Sequence, residues 1–169
     1  MSKQNRLFAL WLALAMGLIL FDQTTKYIAY DQLYGRPPVD VLPFLQWVMV
    51  FNRGAAFGFL DNAGGWQHIL FGGLAIGISV FILVWLRQAS ATNRILSLGL
   101  AMILGGAIGN LIDRILHQYV IDFISVYYGT WYFPAFNVAD IAISCGAFFL
   151  IIDSLFFSRE SDTKVDTKV

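Results

Sequence analysis

Gly105-Gly-Ala-Ile-Gly-Asn-Leu-Ile-Asp-Arg114, then ILHQYVIDFISVYYGTWYFPA over 115–135, then Phe136-Asn-Val-Ala-Asp140: this stretch decides how the chain is read. An apolar segment ends in Asn110, Asp113 and Arg114, and the next one opens with Asn137 and Asp140. The aromatic connection between them carries Asp122, set in Val-Ile-Asp-Phe. Two aspartates are thereby expected near the same end of consecutive membrane-length helices. A carboxylate brought toward lipid is costly, so its presence there points to function. The expectation is that Asp122 and Asp140 form an acid/base pair at a membrane face.

Working outward, the composition fits that reading. Of 169 residues, 58% are hydrophobic and 13% charged, and the mean hydropathy is +0.66. A soluble surface needs about 25% charged residues. Formal net charge is zero, which gives no electrostatic basis for a nucleic-acid partner. The single cysteine, Cys145, lies in an apolar run and reads as a small buried hydrophobe.

Four segments are long enough to cross a bilayer, with expected spans 7–30, 66–86, 95–115 and 138–157. The uncharged core of the first, Leu7 to Phe21, would rise only about 22 Å against a hydrocarbon core of about 30 Å. It must therefore continue past Asp22 toward Lys26. In lipid such segments are helical, because open backbone groups would lack partners. The N-terminus carries Lys3 and Arg6 before its apolar run but shows no small-x-small cleavage site, so it reads as a retained helix.

Positive charge sets the expected orientation. Both termini and the 87–94 connection share Lys3, Arg6, Arg87, Arg94, Arg159, Lys164 and Lys168; the other side holds Lys26, Arg36, Arg53 and Arg114. Seven against four puts both termini in the cytoplasm, with loops 31–65 and 116–137 facing outward. Tyr27, Tyr30, Tyr34, Trp47, Trp66, Tyr127, Tyr128, Trp131 and Tyr132 would gather at the outer interface, and Trp11 and Trp85 at the inner one. His68 and His117 read as interfacial residues.

The outer loop 31–65 is more than a linker. Arg36-Pro-Pro-Val39 breaks the first helix. Val39 to Phe51 has a strand-like composition with imperfect alternation, followed by Asn52-Arg-Gly-Ala-Ala-Phe57 and a Gly/Asn-rich turn at 61–65. A small sheet-like element on the membrane surface is expected there. The polar tail 158–169 reads as flexible and cytoplasmic. Gly73 and Gly77, like Gly105 and Gly109, stand four apart, a spacing that lets membrane helices approach closely.

The polar residues leave alternatives open at this point. Asp22 and Lys26 are four apart and could pair along one helix face. Asn110 and Arg114 share a face one turn apart, and Asp113 suits a structural role. Asn137 and Asp140 have the spacing of a local capping box as much as that of chemistry. The lone cysteine and two scattered histidines lack zinc-ligand spacing, and neither a phosphate loop nor a Gly-x-Ser-x-Gly elbow occurs. Two carboxylates with Asn and Arg donors remain, the inventory of an aspartic hydrolase whose paired acids share a proton. A small proton-coupled carrier and a non-catalytic membrane scaffold are the rival readings.

Five blocks in order then carry a resemblance over nearly the whole chain: Asp22-Gln-Thr-Thr-Lys26, Asn52-Arg-Gly-Ala-Ala-Phe57, Gly105 to Arg114, Val120-Ile-Asp-Phe123 and Phe136-Asn-Val-Ala-Asp140. The sequence resembles lipoprotein signal peptidase (signal peptidase II), a family of bacterial inner-membrane aspartyl proteases. That resemblance implies an all-α bundle of four transmembrane helices with a small periplasmic β-like cradle. It implies removal of signal peptides from diacylglyceryl-modified prolipoproteins just before the lipidated cysteine. It further implies Asp122 and Asp140 as the catalytic dyad, with Asn52, Gly54, Asn110, Asp113, Arg114, Asn137 and Ala139 shaping the site. Asp22 and Lys26 match a block where support is expected rather than catalysis. Neither metal nor organic cofactor is implied. The expected partners are lipidated prolipoproteins and membrane lipid, and the chain is expected to act as a monomer with its site toward the periplasm.

Overall fold

The computed structural model describes residues 2–54 and 66–156, the side chains of residues 67 and 68 excepted. The expected turn at 61–65, residues 55–57 of the second block, the His68 side chain and the tail 158–169 lie outside the described residues. Eight elements follow in order: α1 (Lys3–Leu33), β1 (Val39–Leu42), β2 (Leu45–Asn52), α2 (Gln67–Ala89), α3 (Arg94–His117), β3 (Val120–Tyr128), β4 (Trp131–Tyr132) and α4 (Val138–Phe156).

All four helices are long and apolar enough to cross a membrane. At about 1.5 Å per residue, the 31 residues of α1 reach roughly 46 Å, well beyond a bilayer core. The helix continues without a break through Asp22 and Lys26. It ends at Tyr34, where Gly35 takes a φ of +70° ahead of the two prolines. Ser2 caps its start by accepting the Asn5 N–H. Asn93 does the same for α3 at Leu96 N–H, and α3 closes on Gln118 in the left-handed region.

Helix α3 is central, packed against α1, α2 and α4. Its glycines explain how. A Cβ on Gly105 would meet the Ala15 carbonyl oxygen of α1 at 3.0 Å, and one on Gly109 would meet Asp22 Oδ2 at 2.7 Å. Gly99 and Gly146 face each other across α3 and α4, each closing on the other's carbonyl oxygen (2.8 and 2.6 Å for the added Cβ). The expected close approach at Gly73 and Gly77 is absent among the described residues: none of them lies within 4 Å of a Cβ added to either. Spacing alone cannot distinguish these pairs, because α2 is peripheral and turns its glycines outward.

Four antiparallel strands form a sheet in the order β1-β2-β3-β4. Half of it comes from the 31–65 loop, as expected. The other half comes from the 116–137 connection, read from sequence only as an aromatic link. Strand β3 is buried on both faces over Val120–Phe123 and so reads as a continuous apolar run instead of an alternating one. A bulge in β2 places Val48 and Met49 opposite Phe123, between the Trp47–Ile124 and Val50–Asp122 pairs. Trp47, Met49 and Phe51 pack with Ile121, Phe123, Ala29 and Leu33 on one face. Trp47 is therefore part of this core, in contact with Phe123, and not the headgroup anchor expected from sequence. Tyr27, Tyr128 and Trp131 are exposed, as anchors would be.

Candidate active site

The opposite face of the sheet presents Val50 and Asn52 from β2 beside Val120 and Asp122 from β3. Backbone bonds then fold the chain back. Phe136 exchanges N–H and C=O bonds with Ile124 at 2.9 Å each, and its carbonyl also accepts from Phe123 N–H at 3.1 Å. That clasp sets Asn137, and hence the start of α4, against Asp122.

Asn137 joins the two aspartates. Its side-chain amide donates to Asp122 Oδ1 at 2.7 Å, and its backbone N–H donates to Asp140 Oδ2 at 3.1 Å. Asp140 N–H returns a bond to Asn137 Oδ1 at 3.0 Å. The capping box anticipated from spacing is thus real, and it also lies within the larger cluster. Asn52 donates to Asp122 Oδ2 at 3.0 Å while its own Oδ1 accepts the Gly54 N–H at 3.1 Å. Asn110 donates to Asp140 Oδ1 at 2.8 Å. Burial first, and then the Asp140 charge, push the Asp122 carboxyl up to about 7, against the lowering influence of Asn52, Asn137 and Lys26.

Behind this pair sits a buried ionic cluster. Lys26 Nζ lies 2.8 Å from Asp22 Oδ2 and 2.9 Å from Asp113 Oδ2, with all three residues at most 2% exposed. Each carboxylate also anchors a strand or helix. Asp22 Oδ1 accepts the Ala139 N–H of α4 at 2.9 Å, and Asp113 Oδ2 accepts the Ile121 N–H of β3 at 3.0 Å. These bonds fix the two elements that carry Asp140 and Asp122. Asp22 and Lys26 therefore form a buried anchor, and an ion pair easing α1 into the headgroups does not describe them. Ala139 must be small: its carbonyl lies against Gly106, and its Cβ would sit 3.4 Å from a Cβ on Gly109.

Arg114 reaches over from α3, donating to the Gly54 carbonyl at 3.5 Å and to Asn110 O at 3.4 Å, with its guanidinium 5.8 Å from the Phe71 ring centre. All eleven residues singled out from sequence thus enter one connected region. Gln23 was missed, yet its amide donates to Asp22, to Asp113 and to Gly109 O at 2.9–3.2 Å. Its position inside the Asp22–Lys26 block was the available signal. His117 stacks on Tyr119, away from the aspartates. Among the described residues no group of three or more His, Cys, Asp or Glu is arranged to hold a metal ion.

Asp122, Asp140, Asn52, Asn110 and Arg114 line a cavity of about 910 Å³. It extends over Tyr132–Phe136 and along α4 past Ile141 to Cys145, so its polar end grades into apolar wall. Such an arrangement can hold a water and a peptide carbonyl between two acids while taking in an apolar segment.

Comparison with known proteins identifies the family. The sequence profile of the signal peptidase (SPase) II family matches residues 14–156. The chain is 48% identical over 159 residues to the lipoprotein signal peptidase of Acinetobacter baylyi, covering 94% of this chain and 89% of that protein. It is 46% identical over 151 residues to that of Alteromonas mediterranea, covering 89% and 82%. Its fold matches a bacterial membrane enzyme solved in meso at 2.3 Å resolution, with a TM-score of 0.75, 28% identity and coverage of 95% and 93%. A second such structure, at 1.9 Å, gives a TM-score of 0.68 at 29% identity, covering 89% and 95%. With its profile, its relatives and its fold in agreement, this chain belongs to the signal peptidase II family of aspartic membrane proteases.

Proposed function

We propose that Asp122 and Asp140 are the catalytic dyad with which this lipoprotein signal peptidase removes signal peptides from prolipoproteins. The observation that carries the reading is the Asn137 bridge, which holds both carboxyls at the polar end of one cavity. Asp140, at the first turn of α4, takes a proton from water, whose oxygen attacks the scissile carbonyl carbon. Asp122 holds the shared proton and donates it toward the carbonyl oxygen. When the tetrahedral species collapses, the amide nitrogen leaves with a proton from the dyad. Four buried or half-buried carboxylates against two cations, Lys26 and Arg114, favour one retained proton. The apolar wall along α4 suits the residues preceding the cut, and the lipidated cysteine would follow it.

Purified protein mixed with a diacylglyceryl-modified prolipoprotein should shorten it by the signal peptide. Asp122→Asn and Asp140→Asn should each reduce turnover at least about a hundredfold while leaving substrate binding largely intact. Substantial cleavage by either variant would refute the dyad. With Asp122 raised to about 7, its proton is lost as pH rises through that value, so the rate should decline on the alkaline side. The two limbs of the profile belong to the pair. The same shift makes the folded chain bind more protons than the unfolded one between about pH 4 and 7. This carboxyl's contribution to stability therefore diminishes as pH rises through that window.

The seven-to-four distribution of positive charge supports cytoplasmic termini and a sheet facing the periplasm of a bacterial inner membrane. A monomer suffices for this reading, since one copy supplies both carboxyls and the amides that bind them. Reporter fusions after Gln88 should read cytoplasmic and those after Gly129 periplasmic; a periplasmic signal at Gln88 overturns the orientation.

A further inference from the structure

Among the described residues three asparagine amides touch the dyad, and each is oriented by a partner whose chemistry leaves no choice. Asn52 Oδ1 accepts a backbone N–H from Gly54, and Asn137 Oδ1 accepts one from Asp140. Asn110 differs. Its Oδ1 accepts from Lys26 Nζ at 2.9 Å, and also from Asn137 Nδ2 at 3.1 Å. An ammonium has three donors and no acceptor, so the atom of Asn110 facing it must be oxygen. The NH₂ is thereby turned to Asp140 Oδ1. Asp140 Oδ2 already faces the Asn137 backbone N–H, another obligate donor. Both Asp140 oxygens are therefore addressed by donors, the environment an ionised carboxylate satisfies. Asp122 likewise accepts from Asn137 and Asn52, so what sets Asp140 apart is that one of its donors is held in place by a cation.

We propose that Lys26, set behind the cleft, is a positioning residue that locks the Asn110 amide so that Asp140 acts as the proton acceptor of the dyad. The inference rests on the dyad reading above and adds to it the group that sets the two roles. Without the ammonium, the Asn110 amide is free to turn its oxygen to Asp140. A protonated Asp140 would then donate to that oxygen, and the proton would leave Asp122.

The charged and titratable surroundings are specific. Lys26 faces Asp22 on α1 and Asp113 on α3; Arg114 of α3 and Asp122 of β3 share the cavity with Asp140. Tyr27, Tyr30, His117 and Tyr119 line a smaller space on the other side of Lys26. Asp22 and Asp113 bind the ammonium directly, but neither carboxylate accepts from or donates to Asn110. Loss of the ammonium's charge by itself would raise the dyad's proton affinity. A purely structural Lys26 would therefore leave the dyad's titration unmoved once a negative charge is removed with it, and a positioning Lys26 would not.

The test is the pH dependence of cleavage of a lipidated prolipoprotein by full-length chain in detergent. Lys26→Met is paired with Lys26→Met/Asp113→Asn, which removes one charge of each sign and so protects the fold. Folded protein of either variant should show kcat about a hundredfold lower, KM within about twofold, and the acidic limb of kcat/KM raised by about one pH unit, a tenfold change in proton affinity. Lys26→Arg, which restores charge and donors, should return the limb to its wild-type position. A limb that stays in place in Lys26→Met or the double variant, or moves in Lys26→Arg, overturns the inference. Asp122→Asn and Asp140→Asn run alongside: turnover surviving in those would instead overturn the dyad itself.

Discussion

Both ends of this bundle bury an aspartate, and the two ends use it differently. Away from the sheet, Asp153 of α4 accepts from Asn93 at 2.6 Å, where Asn93 also caps α3 and receives the Ser97 hydroxyl at its carbonyl. Trp11 donates to Ser90 O, and Arg87 to Asn5. The Asp153, Trp11 and Arg87 bonds each tie one helix to another. At the sheet end, Asp22 and Asp113 do the same work, but Asp122 and Asp140 also line a large cavity. Burial of a carboxylate in a membrane protein is thus a poor marker of chemistry. Joint access to one cavity, with the donors held by other residues, is the better one.

Carboxylate removal gives the sharpest way to break that comparison. Asp113→Ala leaves Lys26, Gln23 and the Ile121 N–H without this partner and should cost about 3–5 kcal/mol, as for breaking a buried ion pair. Asp153→Ala should cost about 1–3 kcal/mol and leave turnover per folded molecule within about twofold. Thermal melts in detergent beside cleavage rates would read both. Equal losses of stability, or lost activity in Asp153→Ala, would erase the distinction between the ends. Arg114→Ala belongs to the cavity side of the comparison: activity should drop while the melting temperature changes less than in Asp113→Ala.

Glycines sharpen the contrast at smaller cost. Gly99→Ala drives a Cβ to 2.8 Å from the Gly146 carbonyl and should destabilise by about 1–3 kcal/mol without altering the rate of folded enzyme. Gly73→Ala meets open space and should be neutral or stabilise by about 0.5–1 kcal/mol, the ordinary gain in helix propensity. A Gly73→Ala variant that melts lower would show that α2 is packed by something beyond the described residues.

How much of this was legible beforehand follows from burial. The four helices were readable because apolar runs of that length have one solution in lipid. Strand β3 was not, since a strand covered on both faces loses the alternation that announces it, and Val120–Tyr128 passed for a connection. Asp122, Asn137 and Asp140 stood out as polar residues in apolar surroundings. Gln23 did not, because its three bonds reach partners 1, 86 and 90 residues away. The Gly73/Gly77 and Gly105/Gly109 pairs have one spacing and opposite fates, decided by which helix lies in the middle.

The bulge in β2 gives that strand slack. Val48 and Met49 stand where the partner strand has one residue, Phe123, and beyond them the ladder resumes at Val50–Asp122 and Asn52–Val120. Deleting either of the two leaves a single residue opposite Phe123 and keeps Asn52 beside Asp122, at the expense of the local kink. Deleting both has to be taken up by a slip of the strand past β3, which carries Asn52 away from the carboxyl it now touches. This short segment can lose one link and stay in step with its neighbour, but not two.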